Sequence, residues 1–329
     1  MRWARARRCP EHPRGCDRRE RGLVAPRDRI RGARRGRRAQ GAARSKAMKD
    51  WQSVLARPRE GQHIAQVYMD DGALIDVLAH FVRTGLAQGE GVVVFATPAH
   101  WGECVCRFAA EGVSLHEAEG CGQLAVLDAR TVLSSFMVDG MPDWKAFQDV
   151  VGTVINLTRR KYRRIRAFGE LANLLWQRGE HAAALRLEEL WNHLVKLHDL
   201  ALCCAYRIDD LDESSYTDGL KDIISCRHTH LVPSHDCPKL ERSVGHATES
   251  LLGPRVAAMV RSLAAAHAPA TEMPEAELML LWMREHMPVT AAKVLSRARG
   301  VAALAHAAHA RRSSRIVHRR ASAARPPAR

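Results

Sequence analysis

Between residues 60 and 237 apolar positions alternate between short continuous runs and stripes at helical spacing. The first run, 64–68, reads as a strand and is closed by the turn-prone Asp70-Asp71-Gly72. Leu74, Ile75, Leu78, Phe81 and Val82 then recur at helical spacing, and that helix is expected to stop near Gly85. Residues 91–96 form an unbroken apolar run, the form a strand takes when both its faces are buried. Thr97 and Pro98 supply an N-cap and a first helical position for a helix through 110. Runs at 124–127, 164–168 and 200–206 predict three more strands. Helices are predicted over 171–177 and 182–197, the latter with Leu187, Leu190, Trp191 and Leu194 on one face and Arg186, Glu189 and Lys196 away from it.

Strands separated by helices of this length need crossover connections. The pattern therefore predicts an α/β fold, a mostly parallel sheet with helices on both faces. After Pro238 only helices are expected, at 251–266 and 275–299, separated by breaks at Pro269 and Pro274. The implied division is 48–237 for the sheet domain and 238–305 for a small helical companion. No internal repeat is evident.

Composition changes this picture only at the ends. The formal net charge of +15 suggests a nucleic-acid partner until the charge is located. Residues 1–47 hold 17 Lys and Arg against 4 acidic residues, and residues 306–329 hold 7 Arg and no acid. The body between them is mildly acidic, so no basic binding face is implied there. The first tail has almost no branched apolar residues, the second is similarly low in complexity, and both are expected to be disordered. The first reads as a phosphate-gripping arm, a solvated extension, or sequence upstream of a true start at Met48. Any nucleic-acid affinity is assigned to these tails. No run approaches the ~20 apolar residues of a membrane span, and no apolar stretch follows the N-terminal arginines as in a secretory signal. A cytoplasmic protein with reduced core thiols at Cys203 and Cys204 is expected.

In a parallel sheet, ligands bind outside the carboxyl ends of the strands. That rule selects Asp70 and Asp71, Thr97 and His100, Asp128, Gly169 and Glu170, and Tyr206, although loops also begin at such positions. No phosphate-cradling G-x-x-x-x-G-K-[ST] or dinucleotide G-x-G-x-x-G is present, so no cofactor is expected. Trp176 and Trp191 follow strands as core residues or ligand stackers. Residues 136–143 form a turn-rich apolar segment, read as a flap over a pocket or a packed surface loop. Cys226, His228, His230, His235 and Cys237 fall within twelve residues, dense enough for a zinc site but in no finger or ribbon spacing. A strand-end histidine cluster is the alternative. No serine sits in a G-x-S-x-G elbow, and no catalytic set emerges.

Several segments, in order, resemble the MEDS domain, a sensory domain of methanogens, methylotrophs and the dichloromethane-responsive regulator. They are His63-Ile-Ala-Gln-Val-Tyr68 with the following Asp-Asp, Gly85-Leu-Ala-Gln-Gly-Glu90, and Ala96-Thr-Pro-Ala-His100. Leu127-Asp-Ala129, residues 136–143 and Arg166-Ala-Phe-Gly-Glu170 follow. Leu187-Glu-Glu-Leu-Trp-Asn192 and Leu202-Cys-Cys-Ala-Tyr206 complete the set. Trp101 departs from the basic residue expected after His100.

The resemblance implies a RecA/KaiC-like fold without its phosphate loop. It also implies a non-enzymatic sensor of small hydrocarbon derivatives or C1 compounds, signalling through a histidine kinase or transcription-regulator partner or through self-association. The residues expected to line its ligand site are His63, Tyr68, Asp71, Thr97, His100, Asp128, Phe136, Asp139, Phe168, Glu170, Trp176, Trp191 and Tyr206. A degenerate RecA-like nucleotide-binding protein or ATPase is one alternative. A transcriptional regulator acting on nucleic acid through the arginine tails is the other.

Overall fold

The computed structural model describes residues 51–209, 212–213, 215, 219–232 and 237–300. In chain order these form α1 (Trp51–Ala56), β1 (His63–Tyr68), α2 (Asp71–Ala87), β2 (Gly91–Ala96), α3 (Pro98–Ala110) and α4 (His116–Cys121). β3 (Leu124–Asp128), α5 (Ala129–Phe136) and a hairpin of β4 (Met137–Val138) and β5 (Met141–Pro142) follow. Then come α6 (Trp144–Phe147), a π-helical turn (Gln148–Gly152), α7 (Thr153–Arg159), β6 (Ile165–Gly169), α8 (Leu171–Trp176) and α9 (His181–His198). The chain continues through β7 (Ala201–Arg207), α10 (Gly219–Ser225), β8 (His230–Val232), α11 (Cys237–Leu252), α12 (Pro254–Ala266) and α13 (Glu275–His286). Residues 288–300 are again helical.

Six strands make one parallel sheet in the order β3-β2-β6-β7-β1-β8. Val126, Val94, Phe168, Cys203, Ile64 and His230 lie in one row across it. Alternate residues point to opposite faces. Ile64, Tyr68, Val94, Phe168 and Ala205 pack under α1, α2 and α3. Ala65, Val67, Phe95, Ala167 and Cys204 pack against α5, α7, α8 and α9. That second core also takes in Val244 and Ala247 of α11, Val260 and Ala264 of α12, and Met279 and Leu280 of α13. The expected parallel sheet with helices on both faces is therefore present.

Local chemistry explains most of the boundaries. Asp70 caps α2 by accepting from Ala73 N at 2.9 Å, and Thr97 caps α3 with Pro98 at the first helical position. The five foreseen strands are joined by a sixth, β8. The helix expected over 251–266 is two helices: Gly253 adopts φ 76°, open to glycine without strain, and Pro254 starts α12. The stretch 275–299 is likewise divided at Met287-Pro288, because proline removes a helical donor. The segment 136–143 is a hairpin whose two turn residues, Asp139 (φ 49°) and Gly140 (φ 78°), both take left-handed conformations.

One buried ion pair joins three elements at the other end of the sheet from these caps. Arg166, on β6, has no exposed surface. Its guanidinium meets Glu90 Oε2 at 2.5 Å and donates to Phe81 O (3.0 Å) and Thr84 Oγ1 (2.9 Å) of α2. It also donates to Leu55 O and Ala56 O, which close α1. The cation lies 4.9 Å from the centroid of the Phe81 ring. Gly85 is required beside it, since a Cβ there would sit 2.7 Å from Arg166 Cδ. Glu90→Gln leaves this charge buried without its counter-ion and is expected to cost about 3–5 kcal/mol in urea denaturation. Replacing both partners by leucine is expected to recover part of that loss.

Candidate functional site

At the carboxyl ends of the strands, side chains from β1, β2, β6 and β7 converge. β2 ends at Ala96, and the cap at Thr97 turns α3 so that His100 faces the next strand's end. There His100 Nδ1 lies 2.7 Å from Glu170 Oε2, and Nε2 lies 3.7 Å from Asp71 Oδ1. Glu170 is held by its own backbone, whose N–H donates to Phe95 O at 3.0 Å. Arg207 Nη1 approaches Asp71 Oδ1 at 3.5 Å from the end of β7. Asn173 Nδ2 donates to the Tyr68 hydroxyl at 3.1 Å, while its Oδ1 accepts from Arg207 N at 2.9 Å. Carboxylates and cations thus alternate across four strand ends.

The hydrogen bond to Glu170 raises the His100 pKa above its ordinary 6.5, against a smaller lowering by burial, and the Glu170, Asp71 and Glu103 charges add to the rise. Burial, then the Glu170 and Asp71 charges, push the Tyr68 phenol well up, so it stays protonated. Glu170 is buried, and its second oxygen, Oε1, has no hydrogen-bond partner. A buried carboxylate oxygen without a donor costs free energy. This arrangement can accept a hydrogen bond from a small hydroxyl or amine.

A second polar cluster lies on the opposite face of the sheet, closed in by α9. His63 opens β1, Cys204 and Tyr206 face it from β7, Glu188 projects from α9, and His228 follows α10. All five are buried. Tyr206 OH donates to Glu188 Oε1. Glu188 Oε2 faces His63 Nε2 at 3.1 Å and His228 Nε2 at 3.4 Å without hydrogen-bonding to either. His63 Nε2 is 3.3 Å from Cys204 Sγ, and the two imidazole centroids are 4.1 Å apart. Burial and the neighbouring His228 lower the His63 pKa, which favours a neutral ring.

The residues expected to form one site are thus divided. Tyr68, Asp71, His100 and Glu170 meet at the strand ends; His63 and Tyr206 belong to the buried cluster. Thr97 and Asp128 serve as helix caps. Phe136 packs edge-on to Phe147, Phe168 lies against Phe81, and Trp191 sits between Phe95 and Phe147, all three buried. Asp139 is exposed at the hairpin tip. Trp176 stacks on His181 at 4.2 Å and meets Tyr206 edge-on. Of the cysteine-histidine run, His228 enters the buried cluster. His230 lies 3.3 Å from Glu272, and Cys226 Sγ donates to Asp222 O. His235 and the Cys237 side chain lie outside the described residues, as do the tails 1–47 and 306–329.

Sequence reasoning passed over Glu188, Asn192, Asn173 and Arg207. Glu188 carried a usable signal: it falls within the apolar stripe of Ala184, Trp191 and Val195, where a carboxylate needs a partner. Two surface grooves open elsewhere. One is lined by Leu251, Val289 and Arg297, the other by Leu278, Trp282 and His286, and neither is lined by a strand-end residue. Among the described residues no helix is long and apolar enough to cross a membrane.

The signature of the MEDS family, described as "MEthanogen/methylotroph, DcmR Sensory domain", matches residues 62–226. That is half of the chain, spans every strand-end residue above and includes Glu188, and the chain belongs to this family of sensory domains. No curated protein matches it.

The His100–Glu170 pair sets a pH dependence. Because the folded-state pKa is raised, its stabilisation is complete below about pH 6.5 and is lost as pH rises through the folded value. In urea denaturation, the stability difference between the native chain and His100→Asn is expected to be largest in acid and to shrink above pH 6.5.

Proposed function

We propose that this member of the MEDS family is a non-enzymatic sensor. Its ligand would be a small hydrocarbon derivative bearing a hydroxyl or amine, bound by Tyr68, Asp71, His100 and Glu170 at the strand ends. The observation that carries this reading is the unpartnered, buried Glu170 Oε1 beside the His100 bridge to Asp71. A ligand donor satisfies that oxygen, and the neighbouring charges fix its orientation. Asp71, His100 and Glu170 stand at or near the starts of α2, α3 and α8. Occupancy therefore bears on the relative placement of three helices, a shift that a kinase, a transcription regulator or a second copy would read.

The nucleotide-handling alternative is disfavoured by the turn after β1. A phosphate loop needs free amides and a lysine there. This chain instead places Asp70 on the amide of Ala73 and Asp71 in the first turn of α2, so carboxylates occupy the region where a phosphate would bring like charge. A RecA/KaiC-like ancestry accords with the parallel sheet but supplies no phosphate contact. The nucleic-acid reading rests on tails outside the described residues.

Thermal unfolding of the full chain with methanol, methylamine, dichloromethane and ATP tests the proposal. A ligand at 100 times its dissociation constant stabilises by about 2.7 kcal/mol. A raised midpoint is expected with an alcohol or amine, abolished in Glu170→Gln, with no shift for ATP. ATP turnover lost in Glu170→Gln would replace the sensor with an enzyme, and a flat panel would remove small-molecule binding at this site.

A further inference from the structure

The cluster enclosed beneath α9 is poorly explained as a hydrogen-bond network, because its protons do not suffice. His228 Nδ1 lies 2.7 Å from Ile223 O, a pure acceptor, so that nitrogen carries the proton. His63 Nδ1 lies 3.0 Å from Asn192 Oδ1. The Asn192 amide is fixed in that sense because its Nδ2 donates to Cys226 O at 2.6 Å, so His63 Nδ1 carries a proton too. In the neutral rings both Nε2 atoms are then acceptors that face the same carboxylate oxygen; the Cys204 thiol can donate to that of His63, and His228 Nε2 has no donor. Three lone-pair donors converge, all buried, with their ligand atoms within 4.8 Å of one another.

Distances separate the two ways of relieving this. Imidazolium–carboxylate hydrogen bonds contract to about 2.7–2.9 Å. The separations here are 3.1 and 3.4 Å, and neither is a hydrogen bond. Two donors each about 2.0–2.1 Å from one tetrahedral zinc ion lie roughly 3.3 Å apart. The observed spacing is that of ligands sharing an ion.

We propose that His63 Nε2, Glu188 Oε2 and His228 Nε2 bind a divalent transition-metal ion of the zinc class. The supporting shell is in place. Asn192 and the Ile223 carbonyl orient the two imidazoles, and the Tyr206 hydroxyl holds the other Glu188 oxygen. Three buried protein ligands tie β1, α9 and the segment after α10 together, and the fourth position is left to a water or another small donor. The ion lies across the sheet from the strand-end site and does not depend on how that site is used.

The full chain, stripped with a chelator and dialysed, is titrated with Zn²⁺ and with Co²⁺. One equivalent per chain is expected, with tetrahedral cobalt bands, and Zn²⁺ raises the unfolding midpoint. Glu188→Gln and His228→Gln are expected to weaken Zn²⁺ affinity by at least ~10-fold. Should the ligand variants fail to fold, the native chain still decides: failure to take up one equivalent of either metal overturns the proposal. Binding unchanged in folded Glu188→Gln and His228→Gln overturns it as well, placing the ion elsewhere.

Discussion

A guanidinium with no exposed surface must find every partner inside the protein, and Arg166 finds them on three elements that are remote in sequence. Glu90 neutralises it, Phe81 O and Thr84 Oγ1 in the second half of α2 and the carbonyls at the end of α1 accept its hydrogens, and the Phe81 ring covers its face. Carbonyls at a helix C-terminus are short of donors and carry partial negative charge, so a buried cation there satisfies two needs together. Gly85 leaves the space this requires. The pair fixes where α2 lies over β6 and, through α2, where its other end delivers Asp71. Two segments of the family resemblance, 85–90 and 166–170, thereby acquire a largely structural meaning; only Glu170 among them reaches the strand-end cluster.

The sheet acts as a partition. Its strands are largely continuous apolar runs, so a polar side chain on them is an exception, and most are compensated on one face or the other. Tyr68 meets Asn173 at the strand ends, while His63 meets Glu188, Asn192 and Cys204 under α9. Five residues apart on one strand, the two side chains point to opposite faces. Tyr206 on β7 faces the same side as His63. A linear reading that gathered these residues into a single site joined two environments that the sheet holds apart.

Element identity was legible from the chain because burial on both faces leaves strands as uninterrupted apolar runs, and helices show their period in Leu74, Leu78 and Phe81 or Leu187, Leu190 and Leu194. Breaks at Gly253 and Met287-Pro288 carried ordinary turn chemistry but were masked by alanine- and leucine-rich surroundings. Half of the strand-end cluster was also legible, since position after a strand suffices to nominate Asp71, His100 and Glu170. Asn173 and Arg207 were not: one lies inside a helix, the other at a strand's last residue, and only their contacts with Tyr68, Asp71 and each other mark them. Phe136, Phe168 and Trp191 look alike in sequence whether they stack on a ligand or fill a core.

The sequence by itself determined the α/β class, the parallel sheet and the absence of a phosphate-binding loop, because these follow from local periodicity and motif spacing along a continuous chain. The tertiary structure decided which polar groups share a face. Glu188 and His228 lie 40 positions apart and His63 far upstream, and nothing in their spacing brings them together. Only strand order and the register between β1 and β7 place His63, Cys204 and Tyr206 under α9. The side of the sheet a residue faces is set by strand alternation, but its partners there are set by which helix crosses above it.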